Sequence, residues 1–175
     1  MSANAFITPF GGHAPIIDPD AYVDPFARLI GRIKLAAGVS VWPGAVLRAD
    51  EAEIVVEKGS AILDLCLVES PGGHPVVVEA GALISHQVCL HGATVKRGAL
   101  VGIGAIVLDG AVVGEGAIVG AGAVVPPGMQ VPSGKLLLGA PARPVRDLKP
   151  GERENVQAQL AVLREKALKF KSEAA

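Results

Sequence analysis

The sequence has 175 residues, half of them apolar but only 3% aromatic, with 22 glycines and a formal charge of −1. That length supports one domain with a sizeable core, which small and β-branched side chains must fill. The near-neutral charge lacks the concentrated basic field that a nucleic-acid or acidic-membrane partner requires, so neither is expected, and so many glycines exclude a helix bundle.

Residues 1–15 read as an irregular leader rich in proline and glycine. Met1–Pro9 carries no basic region followed by an apolar stretch, and nowhere do about 18 apolar residues run together. A soluble, cytoplasmic protein is therefore expected. Gly38 and Gly44 flank Val41-Trp42-Pro43, which reads as a corner. Val56, Ile62 and Val68 then recur at constant spacing, until Glu69-Ser-Pro-Gly-Gly-His-Pro75 interrupts it as a loop. Beyond the loop Val77, Leu83 and Cys89 resume the period, but Val78, Ile84 and Leu90 are equally apolar neighbours. The phase there is open by one residue. Cys66 and Cys89 sit in apolar surroundings at strand-like positions and read as small core residues, not as a disulfide framework.

From residue 92 onward the period of six is unbroken. Val95, Val101, Val107, Val113, Val119, Val125 and Val131 form one series. Gly92 to Gly134 and Ala93 to Ala123 form two more at the same spacing. A helix needs a period near 3.6 and tolerates regular glycines poorly. A strand of two or three residues followed by a glycine corner satisfies all three series, with the valine turned into the core. Such repeats build parallel β-helices, whose coils stack at about 4.8 Å, the separation of neighbouring strands.

After Pro141 and Pro144 the spacing changes again. Val156, Leu160, Leu163, Ala167 and Phe170 lie on one helical face, with Glu152 and Glu154 near its start and Lys166, Lys169 and Lys171 near its end, as the helix dipole favours. The expected organisation is a leader over 1–15, a hexapeptide-repeat β-helix over 16–146 and an amphipathic C-terminal helix over 147–175.

The chain has four histidines: His13, His74, His86 and His91. His13 has no sequence partner and reads as structural, and His74 as a solvated loop residue. His86 and His91 fall at neighbouring corners in Ser85-His-Gln-Val-Cys-Leu-His-Gly92 and could point the same way, as metal ligands must. Two satisfied polar corner residues would look the same.

The segments VSVWPGAVLRAD (39–50), ISHQVCLHG (84–92), GIGAIVLDG (102–110) and LLGAPARPVR (137–146) resemble the gamma-class carbonic anhydrase family over roughly residues 14–150. The resemblance implies an all-β fold, a left-handed parallel β-helix with a C-terminal α-helix, assembled as a homotrimer. It implies zinc or another divalent metal held between subunits by three histidines. His86 and His91 match two of the ligands, and Glu69 stands in the place of the third. Arg48 and Asp50 match the family's subunit-crossing ion pair, Asp64 an aspartate near the site, and Glu51 an acidic residue that assists proton transfer. Glu69 lies 17 residues before His86, close to a full coil, and is expected to stack beside it.

Two further positions depart from the family. The glutamine that orients the attacking water falls at Leu63 and a nearby asparagine at Ala61, and neither side chain can hydrogen-bond. A two-His, one-Glu set can hold zinc, but the carboxylate's charge would raise the pKa of a bound water above the value near 7 that supplies hydroxide. Three function classes follow: a metal-dependent hydratase acting on CO2 or a related small molecule, a non-catalytic binding or assembly member of the same family, and an acyltransferase. Against the third, no long inserted loop bears a catalytic histidine.

Overall fold

The computed structural model describes residues 6–173. The first five residues of the expected leader and the last two of the expected helical segment lie outside the described residues. The chain winds a left-handed parallel β-solenoid of about seven turns, with one helix at its C-terminal end.

Each coil lays one short strand on each of three faces. Face one runs from Ile7–Thr8 through Leu67–Glu69, Cys89–His91 and Ile106–Val107 to Val124–Val125. Face two passes through Val76–Val78, Thr94–Val95 and Val112–Val113 to Gln130–Val131. Face three passes through Ala61–Ile62, Leu83–Ile84 and Ile118–Val119 to Lys135–Leu138. The long strands Arg28–Leu35 and Val46–Val56 bend round the corner between faces one and two and join them into one sheet. Because the leader's Ile7–Thr8 pairs with Leu29–Ile30, that segment is not wholly irregular.

Inward side chains stack directly above one another. Leu47, Val68, Leu90, Val107 and Val125 form the ladder inside face one, each at 0% exposure. The register also resolves the upstream phase. Val78, Ile84 and Leu90 point inward, whereas Val77 and Cys89 turn outward and stay half exposed. Cys66 is core, as expected, and burial pushes its thiol up to about 11. Cys89 is not. Leu90 to Val95 takes one residue fewer than Val107 to Val113, so the coil is tightened at His91-Gly92.

The helix spans Glu152–Glu173 and covers face three, burying Val156, Leu160 and Ala167 against Ala61, Leu63, Leu83 and Trp42. It begins later than position 147 because Arg143–Asp147 first folds back antiparallel on Lys135–Leu138 and closes the last edge of that face. Arg146 then clamps the helix start, donating two hydrogen bonds of 2.8 Å to Glu152, which also accepts one from the Lys149 backbone. Those bonds hold the Glu152 carboxyl down at about 2, against an ordinary 4.5. A depressed folded-state pKa stabilises above 4.5 and loses that contribution as pH falls toward 2. Acid titration followed by circular dichroism should therefore show the helix loosening across that window. Glu152→Gln should flatten this acid dependence, and an unchanged profile would show that the clamp contributes nothing.

Candidate functional site

The sequence-derived site residues gather on two edges that flank face one. At the edge between faces one and two, strand register sets Arg48, Glu69 and His91 side by side on successive coils. Glu69 thus neighbours His91 and not His86. The 69–75 loop lengthens the intervening coil, so a count of 17 residues no longer spans one turn.

Charge pairing runs along this edge. Arg48 Nη1 donates to Asp50 Oδ2 at 2.8 Å, within one chain, and Arg48 Nη2 donates to Glu69 Oε1. Glu69, then Asp50, raise the Arg48 pKa above its ordinary value. The same Glu69 Oε1 lies 3.9 Å from His91 Nε2. On its other side His91 hydrogen-bonds Asp109 through Nδ1. Asp109 was not among the residues singled out from sequence, although it stands 18 positions after His91, one regular coil away.

The loop over this edge is also organised. Glu51 Oε2 accepts a 2.6 Å hydrogen bond from the Gly72 backbone, so Glu51 anchors the loop. His74 packs down on the tightened corner, where a side chain at Gly92 would meet the His74 Cβ at 2.7 Å and Asp109 Oδ1 at 2.8 Å. His74 nevertheless stays exposed, as the loop reading expects. His13, in the leader, lies 2.7 Å from Arg32 Nη2.

His86 occupies the opposite edge, between faces three and one, with its Nδ1 3.0 Å from Asp64 Oδ2. One chain therefore does not bring His86 and His91 together, and no three His, Cys, Asp or Glu side chains converge on a metal position among the described residues. Both imidazoles rest Nδ1 on an aspartate, and His91 Nε2 faces Glu69. Such pairing fixes the ring of a metal ligand or of a general base. The third donor does not fit a metal. Arg48 already holds the Glu69 oxygen that faces His91, so a cation placed there would sit against a guanidinium. Leu63 and Ala61 are 5% and 1% exposed and packed beneath the helix, where neither supplies the hydrogen bond of the family's polar side chains.

No protein-family model matches the chain. It is 38% identical over 139 residues to the carnitine operon protein CaiE of Citrobacter koseri, an alignment covering 79% of this chain and 71% of that protein. Among solved structures, a Bacillus cereus protein provisionally described as an acetyltransferase superposes with a TM-score of 0.93 at 31% identity, covering 95% of this chain and 96% of the other. A hexapeptide transferase family protein of Anaplasma phagocytophilum gives 0.90 at 32% identity, covering 94% and 97%. Among the described residues no helix is long and apolar enough to cross a membrane.

Proposed function

The chain belongs to the gamma-class carbonic anhydrase-like family of hexapeptide-repeat proteins, and from that premise we propose that it acts as a homotrimeric ligand-binding member rather than as a carbonic anhydrase. One observation carries this reading: the Arg48–Glu69 ion pair occupies the place where the family's third histidine would hold metal. A carboxylate already neutralised by a guanidinium is a poor competitor for zinc, and the donors left over are two.

The outer faces support the assembly part of this reading. Val46, Leu67, Cys89, Ile106 and Val124 form an outward apolar ladder on face one that no element among the described residues covers, whereas the helix covers the matching ladder on face three. Closed rings bury such a surface without leaving a growing end. A threefold ring with face one turned to its axis would bring the His91 edge of one copy against the His86 edge of the next.

Three measurements on one preparation test the proposal. Light scattering should give three times 17.8 kDa, elemental analysis after growth with added zinc should find metal well below one equivalent, and stopped-flow CO2 hydration should stay at background. Stoichiometric metal with chelator-sensitive hydration would overturn it.

A second reading, acyl transfer, is favoured by the His91–Asp109 pair, an arrangement that suits a general base, and by the transferase descriptions of the two similar structures. Release of free CoA thiol from acetyl-CoA with an amine acceptor, lost in His91→Ala, would establish it, and no release across amine and alcohol acceptors would exclude it.

A further inference from the structure

The helix does more than cover face three. Along the His86 edge an open groove of about 500 Å³ runs beside it, lined by Leu63, His86, Asn155, Gln159, Val162 and Lys166. That volume lies within the range of small-molecule sites. Past Lys166 the space continues into a second cavity of about 460 Å³ bordered by Trp42 and Phe170.

We propose that this groove binds a small organic monocarboxylate, its apolar body on Leu63 and Val162 and its carboxylate on Lys166. The proposal deepens the ligand-binding reading by naming the ligand's class. Leu63 stands where the family has a water-orienting glutamine, and its exchange turns a polar position into an apolar wall that favours hydrocarbon over an ordered water. Lys166 is the one lysine or arginine lining the larger cavity, and among the described residues it has no ion-pair or hydrogen-bonding partner. The side-chain amides of Asn155 and Gln159 add donors on the same helix face, about three and two turns before it. A single positive charge matches a monoanion. Asp64, paired to His86 at the rim, opposes a second negative charge and so disfavours a phosphate dianion.

Trp42, the single tryptophan of the chain, borders the continuation and serves as an intrinsic reporter. The purified protein would be titrated with hexanoate, acetate and hexan-1-ol, followed by Trp42 fluorescence and calorimetry. Saturable binding of hexanoate is expected, about tenfold or more tighter than either control, because only hexanoate engages both the apolar wall and the ammonium. Lys166→Met should weaken hexanoate about tenfold without shifting the melting temperature, since Lys166 is exposed. Val162→Asn should weaken it too. Absence of saturation, acetate binding as tightly as hexanoate, or unaltered affinity in Lys166→Met would each overturn the proposal. The groove contains neither Arg48 nor Glu69, so metal content and hydration rate can refute the metal-free reading while leaving this result untouched, and the reverse.

Discussion

Gly114→Ala should cost most of the fold's stability, whereas Gly104→Ala should cost little. Both glycines belong to the repeat region, but they work differently. Gly104 sits at φ +65° with open space around it, so a side chain there meets only the left-handed backbone penalty, about 1–2 kcal/mol. Gly114 has an ordinary φ, but a Cβ on it would lie 2.6 Å from the Ser133 backbone nitrogen and closer still to the Val131 carbonyl oxygen, both in the next coil. Backbone cannot rotate away as a side-chain tip can. The coils would have to part and break the pairing of Val112–Val113 with Gln130–Val131. We expect a loss on the order of 4 kcal/mol or more, comparable with the whole stability of many domains. Thermal melts of the two variants side by side decide it, and equal losses would refute the coil-contact explanation.

Glu69→His should convert a protein that binds little zinc into one holding about one equivalent per chain. The substitution removes the charge that Arg48 pairs with and supplies a neutral nitrogen beside His91, whose ring Asp109 already orients. The partner copy's edge would complete the set. CO2 hydration should nevertheless stay weak, because a bound ion accelerates the reaction only when its water is aimed. Restoring that aim through Leu63→Gln and Ala61→Asn meets an obstacle. Ala61 lies buried under the helix, where an amide without partners costs roughly 1–3 kcal/mol. The triple variant should therefore melt lower than Glu69→His, and hydration should rise only if the helix yields. Zinc content unchanged from the parent in Glu69→His would sink the ligand assignment.

Where inward and outward residues differ in character, the fold was legible. Val95 to Val131 alternate with glycine and alanine corners, and each of these valines sits in the core. Upstream, Val77 and Cys89 face outward on bare sheet surfaces and Leu83 faces the helix. Apolar residues on both sides of a strand erase the contrast that sets phase. The resemblance named candidate site residues one by one, but their pairings were not legible. Sequence proximity suggested Glu69 with His86, and only the register across the 69–75 loop puts Glu69 with His91. Asp109 carries no local motif. Stepping one coil forward from each polar corner residue would have found it.

The antiparallel return of Arg143–Asp147 has a consequence for how the protein behaves when crowded. A parallel β-solenoid is a ready template: its last coil offers an open edge on which another chain's strand could stack, and repetition of that step makes a fibre. Here face three ends in a strand running the wrong way for such stacking. The end strands of faces one and two are followed at once by Pro126-Pro127 and by Pro132, which have no N–H to offer. A chain cut before Lys135 would lose the reversed strand and expose the parallel edge of Ile118–Val119. The segment from Lys135 to the helix thus separates a discrete particle from a filament.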